Sequence, residues 1–165
     1  MATSITVGLT RGRDILSPVL AIVLKAHPDA TLALAGDGPA RAGAEARARA
    51  LGIESALHFA GFMSQGQVAD LLATSDMLAL PSFAEGLPVV YMEALASRIP
   101  VVASRVAGVQ ELVEDGVTGY TVPPGDVTTL ANRVLHVDQV DLRCAGQTLQ
   151  PGGQRLEHGR GRLGA

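Results

Sequence analysis

Ser75-Asp76-Met77-Leu78-Ala79-Leu80-Pro81-Ser82-Phe83-Ala84-Glu85-Gly86-Leu87-Pro88-Val89-Val90-Tyr91-Met92-Glu93-Ala94-Leu95-Ala96-Ser97 is the stretch whose reading decides the fold. Residues 77–80 form a short, unbroken apolar run, the pattern of a strand buried on both faces. Residues 81–86 bring Pro, Ser and Gly together and read as a loop. From about residue 88 to 97 the pattern turns helical, with Pro88 in the first turn, where its missing N–H costs nothing. Strand, loop and helix in that order are the repeating unit of a parallel α/β sheet. The loop leaves the carboxyl end of the strand, the usual ligand position in an open sheet. The free N–H groups of the helix start point back at that loop and form an anion site.

The same alternation extends in both directions. Upstream, residues 5–9 read as a strand and 14–25 as a helix with Pro18 near its start. Residues 31–35 form a second strand, closed by the turn Gly36-Asp37-Gly38-Pro39. Residues 40–51 form a helix stopped by Gly52. A third strand covers 57–60. Ser64 then caps a helix over 65–73, with Gln67 at the N3 position of a capping box. Downstream, Pro100 separates the central helix from a fifth strand at 101–104. A short helix is predicted over 108–113, a sixth strand over 119–122, and a last helix through about residue 136. Short turns between alternating elements imply right-handed crossovers, hence a Rossmann-like, three-layer α/β domain with a parallel sheet of about six strands.

Composition agrees. With 165 residues, 47% hydrophobic, the chain has the means for one domain with a real core. Aromatics are only 3%, so Ala, Val, Leu and Ile must build that core. A formal charge of −3 gives no electrostatic case for nucleic acid or a membrane surface. The single cysteine, Cys144, excludes an internal disulfide and a multi-Cys metal site. Residues 1–6 do not have the form of a secretory signal, and the longest apolar stretch, 15–24, is too short to span a bilayer. A cytoplasmic location is therefore the default expectation. Residues 1–142 are assigned to the domain. From 143 to 165 apolar periodicity stops and Gly, Gln and Arg dominate. That irregular tail reads either as disordered or as the product of a shifted reading frame.

The chemistry-bearing candidates lie in the opening segment. Glu85 sits beside the anion-binding helix start, and Gly86 lets a backbone approach a ligand closely. Glu93 lies one to two turns into the helix. Two carboxylates at this spacing are weak evidence by themselves: without further context Glu85 reads as a solvated loop carboxylate and Glu93 as an exposed helix residue. Gly36-Asp37-Gly38-Pro39 follows a strand but lacks the G-x-G-x-x-G spacing of a dinucleotide site. His27, His58, His136 and His158 show no metal-ligand spacing, and His58 reads as a partly buried structural histidine. Cys144 has no evident base partner.

The segment resembles the signature of the retaining glycosyltransferases of GT-B architecture known as glycosyl transferases group 1. Their pattern is P-S-x-x-E-G-x-P-x-x-x-x-E-A-x-A-x-x-x-P-V-V-A. Pro81, Ser82, Glu85, Gly86, Pro88, Glu93, Ala94, Ala96, Pro100, Val101, Val102 and Ala103 all fit it. The resemblance continues through Gly108, Glu111-Leu112-Val113, Gly116, Gly119 and Pro124-Gly125-Asp126. Upstream it includes His27-Pro28-Asp29-Ala30, Gly36-Asp37-Gly38-Pro39 and Gly61-Phe62.

The resemblance implies the C-terminal, donor-binding half of such an enzyme, taking a UDP- or GDP-sugar and needing no metal or other cofactor. Glu93 would bond the ribose hydroxyls of the nucleotide, since a carboxylate can accept both. Glu85 would contact sugar hydroxyls near the reacting carbon and steady the charge that develops there. The helix start at Gly86, Leu87, Pro88 and Val89 would meet the diphosphate, and Phe62 and Met63 the base. Gly8 and Arg11 would flank the donor from the first loop. The family usually places two cations in that loop; here Leu9 stands at the first position and Arg11 at the second. An N-terminal acceptor domain is an implied partner, and nucleic acid is not. The full-length enzyme could then be peripheral to a membrane. Other readings of the same architecture are a nucleotide-sugar epimerase and a non-catalytic nucleotide-binding module.

Overall fold

A computed structural model describes residues 4–8, 13–39, 41–83, 89–140 and 142. Arg11, Glu85, Gly86, Leu87 and Pro88 lie outside the described residues, as do Leu9, Cys144 and the rest of the tail from 143. The described elements follow the expected alternation. They are β1 (Ser4–Gly8), α1 (Arg13–Ala26), β2 (Thr31–Ala35), α2 (Arg41–Leu51), β3 (Leu57–Gly61), α3 (Gln65–Ala73), β4 (Met77–Leu80), α4 (Val89–Ala96), β5 (Val101–Ser104), β6 (Gly119–Val122) and α5 (Val127–Leu135). Single 3₁₀ turns at Glu54–Ala56 and Val137–Gln139 lead into β3 and out of α5.

The strands form one six-stranded sheet in the order β3-β2-β1-β4-β5-β6, and every named pair is parallel. Sequential strands move outward from β1 in one direction, then from β4 in the other. Right-handed crossovers therefore put the helices of the two halves on opposite faces. The strand pleat sorts the side chains to match. Met77 and Ala79 of β4, Val102 of β5, and Tyr120 and Val122 of β6 join a core with Leu16, Leu20 and Val23 of α1, Ala48 of α2 and Leu130 and Val134 of α5. Leu78 and Leu80, together with Val101 and Ala103, face the other way, onto Leu72 of α3 and Val90, Tyr91 and Ala94 of α4. Because both faces are covered, β4 and β5 are buried at every position.

Gly119 shows how tightly β5 and β6 pair. A Cβ there would run into the backbone carbonyl of Val101, so no other residue fits.

Two expectations are corrected. Residues 108–113 are not a helix but consecutive turns, held by Val109 N to Val106 O (3.2 Å), Leu112 N to Val109 O (3.0 Å) and Val113 N to Val109 O (2.9 Å). Gly108 at φ 81 breaks the helical path, while Val109 and Val113 still plug the second core. His58 is exposed, not partly buried. β3 is an edge strand, and His58 points away from the layer on which Leu57 and Phe59 pack. No helix among the described residues is long and apolar enough to cross a membrane.

Candidate functional site

In a parallel sheet all carboxyl ends lie along one edge, and the strand order here reverses between β1 and β4. That reversal opens a crevice between the divergent connections. β1 delivers Gly8 to this edge, β3 delivers Phe62 and Met63 just past Gly61, and β4 delivers Pro81, Ser82 and Phe83. Pro81 and Ser82 are buried, which anchors the start of the β4 loop. Tyr91, fully buried on α4, donates its hydroxyl to the Leu80 carbonyl at 3.3 Å and ties the helix to the strand end.

Large apolar side chains stand in water along the same region. Phe62 is 88% exposed, Phe83 64%, Val89 56% and Met92 40%. Isolated exposed apolar residues are ordinary; these four belong to the connections at the carboxyl edge and to the helix that follows. The Phe83 ring also lies over the β6–α5 turn, where a Cβ on Gly125 would meet it at 3.5 Å.

α4 begins, within the described residues, at Val89, and its first turn carries no acidic side chain. An anion approaching that end of α4 therefore meets no competing carboxylate from that turn. Glu93 lies one turn further along and is partly buried. Its Oε1 accepts a hydrogen bond of 3.0 Å from Nε2 of Gln65, the first residue of α3. Thus Glu93 is joined directly to the segment that begins with Phe62 and Met63. Of the residues singled out in the sequence, the structure describes Gly8, Phe62, Met63, Val89 and Glu93, and all belong to the connections at the carboxyl edge or the helices leaving it. Arg11, Glu85, Gly86, Leu87 and Pro88 lie outside the described residues. Gln65, Tyr91 and Phe83 were not foreseen. Gln65 had no signal beyond its place after a cap, and Phe83 only that of an aromatic in a loop.

A groove of about 270 Å³ between α2, Glu54 and the start of β3 is lined by Glu45, Ala48, Arg49, Leu57 and Phe59. It carries none of the candidate residues.

The family model for glycosyl transferases group 1 matches residues 6–139. The chain belongs to that family. Among its relatives, the chain is 37% identical over 116 residues to the alpha-D-kanosaminyltransferase of Streptomyces kanamyceticus, covering 70% of this chain and 30% of that protein. It is 35% identical over 127 residues to the N-acetyl-alpha-D-glucosaminyl L-malate synthase of Bacillus anthracis, covering 77% of this chain and 32% of that one. Among solved structures, a mutant of S. aureus TarM in complex with Fondaparinux, alpha-GlcNAc-glycerol and UDP superposes with a TM-score of 0.78. That match is 20% identical and covers 87% of this chain and 30% of TarM. The chain thus spans about a third of the length of these relatives. Its fold is the Rossmann-like half of the GT-B architecture that the motif implied.

Proposed function

We propose that this chain is the C-terminal, donor-binding half of a retaining glycosyltransferase and holds the nucleoside diphosphate of a UDP- or GDP-sugar. The observation that carries the reading is the position of Glu93, partly buried at the carboxyl edge of the sheet and bonded to the segment after β3. Glu93 accepts from the ribose hydroxyls, and the exposed Phe62 and half-buried Met63 meet the base. The diphosphate is received by the segment Gly86, Leu87, Pro88 and Val89, whose backbone donors are the N–H groups of Gly86, Leu87 and Val89, since Pro88 has none.

Glu85 contacts the sugar near its anomeric carbon, and Arg11 offsets the charge of the departing diphosphate. With Leu9 at the other cationic position of the first loop, that stabilisation is weaker than in the family pattern. Retention is supported by the names of two relatives, which specify alpha-linked products. UDP-glucose, bound in the similar solved structure of Anabaena Alr3699/HepE, is itself alpha-linked. UDP in the TarM complex supports a uridine donor. No metal takes part, so EDTA leaves donor binding unchanged. The acceptor is held by an N-terminal domain that faces this edge, in a cytoplasmic enzyme.

Titration calorimetry against UDP, GDP and NAD tests the reading. Binding of UDP or GDP without NAD is expected; NAD affinity with neither of the others refutes it. Glu93→Ala is expected to weaken nucleotide binding by about 1–3 kcal/mol, the range for hydrogen bonds to a charged group, with an unchanged unfolding midpoint. Unchanged affinity in that variant makes Glu93 an ordinary surface residue.

A further inference from the structure

Gln65 has a partner 28 positions away on another helix. Its amide nitrogen donates to Glu93 Oε1 at 3.0 Å. A carboxylate can only accept, so the amide must present its nitrogen and not its oxygen. The backbone under Gln65 is held in place. The Ser64 hydroxyl accepts from Gln67 N at 3.4 Å, and Gln67 Oε1 accepts from Ser64 N at 2.8 Å, closing both halves of a capping box around it. Gln67 is thereby committed to the backbone, and Gln65 is the amide that reaches across. Past β3, two residues before Gln65, stands the half-buried Met63, and next to it the exposed Phe62.

We infer that Gln65 is a positioning residue for the ribose of the donor nucleotide; this rests on the reading of Glu93 given above. A glutamate on a helix samples several rotamers, and fixing one on binding costs side-chain entropy. Gln65 fixes the carboxylate before the ligand arrives. It occupies one acceptor site on Oε1 and leaves Oε2 and the second lone pair of Oε1 for the two hydroxyls of a vicinal diol. Being neutral, the amide does not quench the charge that strengthens those bonds, as a Lys or Arg partner would. It also makes a rigid link between the base-side segment after β3 and the ribose-side helix α4. A mere surface tie between α3 and α4 would affect stability and leave ligand discrimination alone.

The test compares UDP and GDP with their 2′,3′-dideoxy forms, by calorimetry, on the wild type, Gln65→Ala, Gln65→Glu and Glu93→Gln. The wild type is expected to prefer the ribose form. Gln65→Ala should weaken the ribonucleotide about three- to tenfold and leave the dideoxy form unchanged. Gln65→Glu, which has no donor and adds a like charge, should lose at least as much. Gln65→Ala keeping the wild-type preference while Glu93→Gln loses it overturns the role of Gln65 alone. A loss shared equally by both ligand forms also overturns it. A wild type without ribose preference, or a Glu93→Gln variant that retains it, overturns the reading of Glu93 and this inference with it.

Discussion

Asp126 closes the β6–α5 turn and starts α5. Its Oδ2 accepts from the Thr129 hydroxyl at 2.6 Å and its Oδ1 from Thr129 N at 2.9 Å. The Thr129 hydroxyl, and after it the Thr129 N–H, hold the Asp126 carboxyl below the usual aspartate value. A depressed folded value contributes stability that is fully present above the unfolded value, about 3.9. It is lost as pH falls from there through the lower folded value. Wild type and Asp126→Asn should therefore differ in urea midpoint at pH 7 and converge as the pH is taken down through that window. A difference that stays constant to acid pH contradicts this account of the cap. The Asp was legible in the sequence as part of Pro124-Gly125-Asp126; its double bond to Thr129 was not, because any residue three positions on could have taken either role. Glu93 shows the same division. Its helix and its place in the motif could be read from residue types, but its bond to Gln65, 28 positions away, depends on how α3 and α4 come together.

At the scale of elements, α2 and α4 end in the same way by different means. Gly52 at φ 67 follows α2, with Gly52 N bonded to Arg49 O at 3.1 Å and Ile53 N to Ala48 O at 3.1 Å. After α4 the equivalent bonds run from Arg98 N to Leu95 O at 3.0 Å and from Ile99 N to Ala94 O at 2.8 Å, with Arg98 at φ 58. Both are Schellman closures, and Ile53 and Ile99 bury the apolar residue that completes each. The first was announced by its glycine. The second was not, since arginine carries no such signal, and its end was legible only from Pro100. A left-handed arginine pays a steric cost that glycine does not. Arg98→Gly is therefore expected to stabilise the domain by about 0.5–1 kcal/mol, after the larger chain entropy of glycine is set against the relief. Denaturant unfolding measures it, and a destabilised variant means the Arg98 side chain contributes more than its backbone costs. The turns at 108–113 were misread as a helix for a related reason. Their apolar spacing is helical, but Gly108 at φ 81 takes the chain off the helical path.

For the whole molecule, the exposed Phe62, Phe83, Val89 and Met92 describe a surface that the single domain leaves open. Transfer needs a second wall to exclude water and hold the acceptor. On the proposed donor-binding reading, the chain alone is therefore expected to show negligible sugar transfer even where it binds nucleotide, because an acceptor wall acts on the transition state more than on the ground state. Leu9, where the family pattern has a cation, is expected to lower activity further. An assay of UDP- and GDP-sugar consumption, following both transfer and hydrolysis, checks this; robust turnover by these 165 residues refutes it. The sequence by itself determined the class of fold, the family, and the described strands and helices to within a residue or two, with the turns at 108–113 as the exception. Apolar runs of strand length, helical spacing, and Gly, Pro and Ser at the breaks are local properties that each segment carries on its own. Tertiary structure alone decided which faces close over Leu78 and Met77, why His58 stands in water, and that Gln65 meets Glu93. Those outcomes depend on strand order and on which helix crosses which face, and a parallel sheet makes such contacts between segments tens of residues apart.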